Sequence, residues 1–297
     1  MSTRDQSFLV GLIGDGITSS LTPPMHEKEA TCQGLLYLYR PIDLVALNLD
    51  ADSLPALLDA AELLGFNAFN ITHPCKQTVL EHLDEVSPAA AKLGAVNCVV
   101  LRQDGSRYGD NTDFSGFMSG FAQGLPHVLK DKRRLEHIIQ LGAGGAGSAT
   151  ALALLELGVK RLTLVDVDAQ RARDKAVDLS TLYSEARVDT ASAQDLPALL
   201  PDARGLVNAT PLGMHVHPGA PLELALLHKG LWVADVIYLP QETPLITRAR
   251  ELGCDVLTGG YMAVGQAVDA LRIFAGIEPD AARMRAHFEE LIAQQVP

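Results

Sequence analysis

The feature that most constrains the fold is the segment "HIIQLGAGGAGSATALALLELGVKRLTLVDVD", which begins at His137. An apolar run leads through a glycine turn into an Ala/Leu-rich run and then a second apolar run, which predicts a strand, a helix and a strand within about thirty residues. Gly142, Gly144 and Gly147 form the spacing G-x-G-x-x-G. The first glycine permits a tight turn, the second lets a pyrophosphate approach the backbone, and the third lets helix pack on strand. The segment therefore predicts a dinucleotide-binding βαβ unit.

The acidic residue Asp166 ends the second strand of this unit, about twenty residues past the last glycine. A carboxylate there can accept hydrogen bonds from an adenosine ribose, whereas the 2′-phosphate of NADP would meet its negative charge. Val167 cannot neutralise that phosphate, although Arg171 or another base of the following helix could reach it. Asp166 and Asp168 are both possible N-caps of that helix, and we assign Asp168 to the cap and Asp166 to the ribose. NAD is the expected cofactor, and NADP is less favoured.

Shorter apolar runs extend the alternation of strands and helices over the whole chain. The runs "FLVGLIG", "LLYLYRPIDL", "GFNAFNIT" and "NCVVL" predict strands before the glycine turn, separated by helical patterns such as Leu54 to Leu64. The runs "RGLVNAT", "LWVADVI" and "CDVLTG" follow it, and two long helices from Tyr261 onward are expected to end the chain. This order predicts an α/β fold, and 297 residues suit two α/β domains with a ligand cleft between them. The expected segments are 1–116, 117–259 (Rossmann-like) and 260–297, whose helices return to the first domain.

Composition and charge disfavour several functional classes. With 47% hydrophobic and 20% charged residues the chain has a globular profile, and its net charge of −12 disfavours binding to nucleic acid or anionic membranes. No apolar run of signal or membrane length begins the chain, and the cysteines lack a Cys-x-x-Cys pair, which predicts reduced thiols in a cytoplasmic protein. The cysteines are Cys32, Cys75, Cys98 and Cys254. His215 and His217 have no Cys or carboxylate at ligand spacing, so no metal site is expected.

The stretch "FNITHPCKQT" places Lys76 just after a Thr-His-Pro corner in hydrophobic surroundings. Most lysines are solvated surface charges. Here "FNAFNIT" reads as a strand, so Thr72, His73 and Lys76 lie at the carboxyl-terminal edge where open α/β sheets bind ligands. Pro74 suits the first turn of a following helix. Lys76 is therefore a candidate functional residue.

Asp113, in "YGDNTDFSGF", stands just before the second domain and could face the same cleft as Lys76. A Lys–Asp pair is plausible on these grounds. The alternative is that Asp113 caps a helix beginning near Phe114, a common use of aspartate.

Eight sequence blocks occur in the order found in the shikimate/quinate dehydrogenase family, which this chain resembles over nearly its whole length. They are "SSLTPPMH", "NITHPCK", "GAVNCVV", "GDNTDFSGF", "GAGGAGSA", "NATPLGM", "DVIYLPQETPL" and "GGYMAVGQAVDA". The resemblance implies an N-terminal substrate-binding domain, a Rossmann-like NAD-binding domain, and an enzyme that moves a hydride between a ring acid and nicotinamide C4.

The same resemblance implies site residues, matched block by block. Lys76 and Asp113 would form the catalytic dyad beside the substrate hydroxyl, with Lys76 as the proton relay. The implied substrate-binding residues are Ser20, Thr22, Thr72, Asn97, Tyr238 and Gln266. The glycine turn and the acid after it predict the cofactor-binding residues Gly142, Ala143, Gly144, Gly145, Ala146, Asp166 and Arg171, and the resemblance adds Asn208, Ala209, Thr210, Pro211 and Gly260. For Ser20 and Thr22 the alternative is a cap before a helix that starts at Pro23.

Two departures from the common family pattern bear on specificity. Biosynthetic members typically carry Asn-Arg-Thr or Asn-Arg-Ser, whose arginine grips the NADP phosphate, where this chain has Asp166, Val167 and Asp168. Threonine in place of serine at Thr22, together with His73, resembles the NAD-dependent quinate/shikimate dehydrogenases. One methyl group changes the discrimination between two substrates by only about 1–3 kcal/mol. Thr22 alone therefore does not decide between quinate and shikimate as the substrate.

The sequence thus predicts a monomeric or homodimeric NAD-dependent enzyme that oxidises the C3 hydroxyl of shikimate or quinate. The alternatives are a dehydrogenase of a related acid such as aminoshikimate, an NADP-dependent biosynthetic shikimate dehydrogenase, and a ligand sensor without catalysis.

Overall fold

A computed structural model describes residues 7–295, and the chain divides into two compact units. Unit 1 comprises Met1–Ser115 and Val264–Pro297, and unit 2 comprises Gly116–Ala263. The first break lies at 115/116 instead of 116/117, and the second at 263/264 instead of 259/260. Strands alternate with helices in both units, so the predicted α/β fold is confirmed.

The α-helices are distributed along the chain after the first strand. Within residues 7–295 they are α1 (Thr22–Cys32), α2 (Leu54–Leu63), α3 (Pro88–Leu93), α4 (Thr112–Gly124), α5 (Pro126–Lys130), α6 (Gly145–Glu156), α7 (Ala169–Leu182), α8 (Leu196–Leu199), α9 (Pro244–Glu251), α10 (Gly259–Ala275) and α11 (Ala281–Gln295). The two long C-terminal helices are therefore confirmed. In the described part of the chain, none of the helices has the length and apolar character needed to cross a membrane.

The sheet of unit 1 has six strands and mixed directions. They are β1 (Ser7–Gly14), β2 (Leu36–Asp43), β3 (Ala68–Ile71), β4 (Glu85–Val86), β5 (Cys98–Leu101) and β6 (Arg107–Asp110), in the order β2-β1-β3-β5-β6-β4. Strand β1 runs parallel to β2 and β3, whereas β5 runs antiparallel to β3 and β6. Strands β4 and β6 were not predicted, because their segments are short and polar and lack an apolar run.

Both faces of this sheet are covered. On one face the residues Leu54, Leu58 and Ala61 form the buried stripe of α2, with the four- and three-residue spacing of an amphipathic helix. On the other face Ala270 and Phe274 of α10 belong to the same core cluster as strand residues of β1 to β3. A C-terminal helix therefore packs on the first unit, as predicted.

The sheet of unit 2 is wholly parallel. Its strands are β7 (His137–Leu141), β8 (Arg161–Val165), β9 (Arg187–Ala191), β10 (Gly205–Asn208), β11 (Trp232–Asp235) and β12 (Asp255–Leu257), in the order β12-β11-β10-β7-β8-β9. Read from the other end, this is the strand order 3-2-1-4-5-6 of a dinucleotide-binding fold. The Rossmann-like prediction is confirmed, although β9, a half-exposed edge strand, was missed.

A buried ion pair joins α1 to α11 in unit 1. The Glu29 side chain is 1% exposed and accepts two hydrogen bonds of 2.7 Å from the Arg283 guanidinium. The Asp280 amide donates to the same carboxylate at 2.9 Å. Because a buried carboxylate needs such donors, Arg283 holds the last helix against the first.

A buried carboxyl also joins three segments of unit 2. Asp235, 2% exposed at the end of β11, accepts hydrogen bonds from Asn208 Nδ2 at 3.0 Å, the Ile237 amide at 3.0 Å and Thr243 Oγ1 at 2.8 Å. Thr243 in turn caps α9. Burial raises the pKa of Asp235 to about 6, although these hydrogen bonds oppose the increase.

Replacing Arg283 by Met should lower the free energy of unfolding by about 1–3 kcal/mol, because Glu29 keeps its burial and loses its charged donor. Chemical denaturation would measure this. Arg250→Met is the matched control, since its ion pair with Glu242 joins two side chains that are 51% and 56% exposed. Equal losses of stability in the two variants would contradict the stabilising role of the Glu29–Arg283 ion pair.

Asp235 should also give stability a pH dependence. Its pKa is higher in the folded chain, about 6, than the ordinary 3.8, so its protonated form favours folding. Its contribution to stability is complete below pH 3.8 and is lost as pH rises through 6, with a total of up to about 3 kcal/mol. Denaturation of wild type and Asp235→Asn from pH 4 to 7 should give a difference that changes steadily with pH. A constant difference would show that Asp235 titrates normally.

Candidate active site

One edge of the unit 1 sheet brings together loops that are far apart in sequence. Strands β1 and β3 are parallel and end there, at Gly14 and Ile71. Because β5 is antiparallel to β3, its first residue, Cys98, pairs with Asn70 near the end of β3. Strand β6 ends beside it, with Asp110 paired to Cys98. The segments after β1, β3 and β6 and the segment before β5 therefore lie side by side.

Lys76 lies in the segment after β3, and its Nζ donates a hydrogen bond to Asp113 Oδ2. The two side chains are only 19% and 13% exposed, so the ion pair is largely shielded from solvent. The backbone carbonyl of Lys76 accepts a hydrogen bond of 2.8 Å from the Val96 amide, which fixes the segment to the strand β5 side of the sheet. The structure thus brings together the two residues predicted as a dyad.

The predicted helical first turn at Pro74 is wrong. The His73–Pro74 peptide is cis, and residues 74–77 form a turn before a 3₁₀ helix at Thr78–His82. The Cys75 amide donates to the Thr72 carbonyl at 2.8 Å, a bond across three residues that closes a turn.

The alternative role of Asp113 as a helix cap is also wrong. Helix α4 begins at Thr112, and Asn111 Oδ1 accepts hydrogen bonds from the Asp113 and Phe114 amides at 3.1 and 3.3 Å. Asn97 Oδ1 accepts from the Thr112 amide at 2.7 Å. The two asparagine side chains thus accept hydrogen bonds from the first three amides of α4. These amides do not need the Asp113 carboxylate, which binds Lys76 instead.

Ser20 and Thr22 do not cap α1, contrary to the alternative for these residues. The helix begins at Thr22, and no side chain caps it. Pro23 and Pro24 occupy the second and third helical positions, whose amides a cap would bind, and proline has no N–H. Ser20 Oγ accepts from the Thr22 amide at 3.3 Å. Among residues 7–295 neither hydroxyl has an acceptor, so both O–H groups remain available to a ligand.

Asn97 and Thr72 add two more donors at this edge. Because Asn97 Oδ1 is bound by Thr112, its Nδ2 is the end of the amide that stays unpaired within the described residues. Thr72 Oγ1 likewise has no partner there. Neutral donors around a shielded ammonium–carboxylate pair suit an anionic ligand that carries hydroxyl groups.

Gln266 and Tyr238 belong to different units. Gln266 lies on α10 in unit 1, one turn before Asp269, which accepts a hydrogen bond of 2.5 Å from Ser115 Oγ. This bond ties α10 to α4, the helix that carries Asp113. Tyr238 follows β11 in unit 2, where burial raises the pKa of its phenol. Its part in binding the acid stays a prediction.

The glycine turn of unit 2 has the conformation that the sequence predicts. Gly142 has φ +95°, and an added Cβ would lie 2.6 Å from the Ala209 carbonyl. A Cβ on Gly147 would lie 2.3 Å from the Gly142 carbonyl, so helix and strand pack closely there. A Cβ on Gly144 would meet nothing within 4 Å, and α6 starts after it without a side-chain cap. Uncapped helix amides beside open space can bind a pyrophosphate.

Gly145 and Ala146 form the first turn of α6, whereas Ala143 is buried and binds the acid after β8. The Ala143 amide donates to Asp166 Oδ2 at 2.6 Å. Arg171 Nη2 and the Asp168 amide donate to Asp166 Oδ1 at 2.5 and 2.9 Å. Although burial alone would raise it, these bonds keep the pKa of Asp166 below its usual range. The Asp166 carboxylate is thus already bound by Arg171, a pairing that was not predicted from the sequence.

The predicted cap assignment of Asp168 is confirmed, since its side chain accepts from the Gln170 and Arg171 amides. Asn208 is buried, and its side chain binds Thr210 and Asp235. It therefore shapes the loop after β10, in which Ala209 and Thr210 are partly exposed and Pro211 is exposed. Gly260 is buried in the first turn of α10.

Three residues that organise these loops were not identified from sequence as having that role. Gln140 binds the Gly142 and Gly147 carbonyls at 2.9 and 2.7 Å and so holds the glycine turn. Asp43 and Asp235 bind loops after other strands. Asp235 is the one charged residue of an apolar strand, which is a signal that a sequence search could find. Strand β2 also carries Arg40 and β7 also carries His137, so Asp43 and Gln140 stand out less. Residues 7–295 contain no group of three or more His, Cys, Asp or Glu arranged to hold a metal ion.

Comparison with known proteins gives consistent matches. Residues 12–99 match the shikimate dehydrogenase substrate binding domain. The shikimate dehydrogenase (NADP(+)) of Pseudarthrobacter chlorophenolicus is 58% identical over 99% of both chains. The quinate/shikimate dehydrogenase (NAD(+)) of Corynebacterium glutamicum strain R is 46% identical over 97% of this chain and 100% of that protein.

A solved structure, quinate dehydrogenase from Corynebacterium glutamicum in complex with NAD, superposes with a TM-score of 0.89 at 46% identity over 96% of this chain and 99% of that one. Identity at this level over nearly the full length shows common ancestry and a common chemistry. The chain belongs to the shikimate/quinate dehydrogenase family, and it is an NAD(P)-dependent oxidoreductase that acts on CH–OH groups.

Proposed function

We propose that this enzyme reversibly oxidises the C3 hydroxyl of shikimate or quinate to the 3-dehydro acid, with NAD as the preferred hydride acceptor. The observation that carries the proposal is the shielded Lys76–Asp113 pair, with the neutral donors of Thr72 and Asn97 on the same sheet edge. A ring acid offers a carboxylate and several hydroxyls, which match those donors.

The nicotinamide supplies the hydride-accepting carbon when the cofactor is bound. Lys76 and Asp113 take up the proton that the C3 hydroxyl releases during oxidation. As the Lys76 ammonium passes one of its protons along its hydrogen bond to Asp113 Oδ2, its Nζ takes up the hydroxyl proton in exchange. The pair as a whole thus gains one proton during oxidation and returns it in the reverse reaction. Shielding from water keeps that hydrogen bond in place.

Ser20 and Thr22 would bind the carboxylate of the acid through their hydroxyls. The start of α1 cannot do so through its second and third amides, because Pro23 and Pro24 have none. Thr72, Asn97 and Gln266 would hold the ring hydroxyls, and Tyr238 would lie near the carboxylate. Quinate carries an extra hydroxyl on C1, which Thr22 would face.

NAD is preferred for an electrostatic reason. The groups at the end of β8 are two carboxylates, Asp166 and Asp168, and one guanidinium, Arg171, while Val167 is fully exposed and uncharged. Their net charge is negative, which disfavours a 2′-phosphate and permits a ribose hydroxyl. An NADP-dependent shikimate dehydrogenase is the second candidate, because the 58% identical relative carries that name. It would require Arg171 to leave Asp166 for the phosphate.

The direct test is to follow reduced cofactor at 340 nm with quinate and shikimate, each with NAD and NADP, at alkaline pH, where proton release favours oxidation. We expect NAD to give the higher kcat/KM with at least one acid. A preference for NADP would favour the second candidate. Negligible activity in all four assays would leave two alternatives, a dehydrogenase of a related acid such as aminoshikimate and a ligand sensor without catalysis.

Replacing Lys76 by Ala should reduce kcat by about 10²–10⁴-fold, because the proton acceptor is lost, with little change in KM for NAD. Asp113→Asn should reduce kcat as well, since the amide cannot hold the ammonium. Lys28→Ala, at an exposed lysine of α1, is the control and should behave as wild type. Near wild-type kcat in Lys76→Ala would remove Lys76 from the reaction.

Replacing Asp166 by Asn should shift the ratio of kcat/KM for NAD to that for NADP by about tenfold towards NADP, because one negative charge is removed and Arg171 is released. Asp174→Asn, an exposed carboxylate of α7 bound by Gln170, is the matched control and should leave the ratio unchanged. The same ratio in both variants would refute the electrostatic explanation.

A further inference from the structure

The last residue of β2, Asp43, binds the loop that connects β1 to α1. Its side chain accepts hydrogen bonds from the Gly16 amide at 3.0 Å, the Thr18 amide at 3.1 Å and Thr18 Oγ1 at 2.7 Å. The Ala46 amide adds a longer contact of 3.4 Å from the following turn. The residue is 8% exposed, so these donors stand in for water.

Few other bonds fix this loop, which covers residues 15–21. The Asp15 amide donates to the His73 carbonyl at 2.9 Å, and the Ser20 amide donates to the Ile17 carbonyl at 2.9 Å. Gly16 has φ +63°, and a Cβ there would meet nothing within 4 Å, so packing does not hold that position. Packing holds Ile17 and Leu21, which are 8% and 3% exposed, so Gly16 and Thr18 are the part of the loop that depends on the Asp43 carboxylate.

The loop ends in the two hydroxyls that the proposed function assigns to the acid's carboxylate. Ser20 lies two residues beyond Thr18, and Thr22 is joined to Ser20 by the 3.3 Å hydrogen bond from its amide. With Pro23 and Pro24 in the first turn, α1 offers no amide at these positions as a substitute. Ile17 and Leu21 hold the loop by packing, and the bonds from Thr18 to Asp43 fix the stretch between them that leads to Ser20.

We propose that Asp43 is a positioning residue for acid binding: its carboxylate holds the loop of residues 15–21 so that Ser20 and Thr22 can bind the carboxylate of the substrate. The inference rests on the proposed function. A second carboxylate beside an anion site is unfavourable unless its charge is taken up, and here two amides and a hydroxyl do so. The Thr18 hydroxyl above all, with the loop amides, lowers the pKa of Asp43, so it stays ionised at neutral pH.

The test uses full-length Asp43→Asn, Thr18→Val and Thr18→Ser, with Asp50→Asn as the matched control. Asp50 is an exposed carboxylate of the segment after β2 that binds Ser53 and no residue of the loop. The measurements are KM for shikimate and quinate, KM for NAD, kcat, and the midpoint of thermal unfolding. Thr18→Val removes the hydroxyl bond and keeps the amide bond, whereas Thr18→Ser restores both.

We expect Asp43→Asn to raise KM for the acid by about tenfold or more and Thr18→Val by a smaller factor, because charge-assisted hydrogen bonds are lost. Thr18→Ser and Asp50→Asn should resemble wild type, and KM for NAD should change by less than about twofold in every variant. An unchanged KM for the acid in folded Asp43→Asn overturns the proposal. So does a rise in both KM values together with a lower unfolding midpoint, which indicates a purely structural role.

If Asp43→Asn does not fold, the comparison of Thr18→Val with Thr18→Ser decides, and equal KM values for the acid overturn the proposal. Failure of the proposed function is visible separately, because wild type would then oxidise neither acid. In that case calorimetric titration of shikimate into wild type and Thr18→Val replaces KM. Weaker binding to the variant supports the role of Asp43, and equal or absent binding overturns it.

Discussion

The ion pair between Lys76 and Asp113 is the interaction on which the candidate site of unit 1 depends. Both side chains are mostly shielded, and a shielded charge without a partner would destabilise the fold. The pair requires that the turn after β3 and the start of α4 face one another. Strand β5 makes this possible, because its antiparallel direction brings residue 97 to the edge where β3 ends. The side chains of Asn97 and Asn111 accept hydrogen bonds from the first amides of α4, so the Asp113 carboxylate can bind Lys76.

In both units, a carboxylate at the end of a strand binds backbone amides of a neighbouring loop. Asp43 ends β2, Asp166 follows β8 and Asp235 ends β11, and each accepts backbone amides from a loop. Loop amides at the carboxyl edge of a sheet have no strand to bond, so a buried carboxylate stabilises them and fixes the loop at once. Residues proposed to bind ligands, such as Ser20 and Thr210, can then lie on loops and still have a defined position.

Much of this arrangement was predictable from the sequence, and the failures have identifiable physical causes. The glycine turn has a fixed spacing because backbone conformation and close approach leave no other choice, and Lys76 follows an unmistakable strand. Strands β4 and β9 were missed because they are edge segments that carry polar residues, and β6, which lies beside β4, was missed because it is short and polar. The role of Asp43 depends on contacts with a loop more than twenty residues earlier, which no linear spacing encodes. The pairing of Arg171 with Asp166 is local, but it depends on a side-chain conformation that the sequence does not specify. The alternative cap roles of Asp113 and of Ser20 and Thr22 are not realised. Two asparagine side chains bind the first amides of α4, and two prolines remove amides at the start of α1.

The most direct measurement is the fate of the hydrogen on C3 of the acid. Wild-type enzyme would oxidise an acid deuterated at C3 with NAD in ordinary water, and NMR of the reduced cofactor would locate the label. The account predicts that the deuterium appears at C4 of the nicotinamide and that none enters the water, since Lys76 and Asp113 handle only the hydroxyl proton. Deuterium in the solvent, or its retention in the product acid, would contradict hydride transfer from C3 and with it the role assigned to the ion pair.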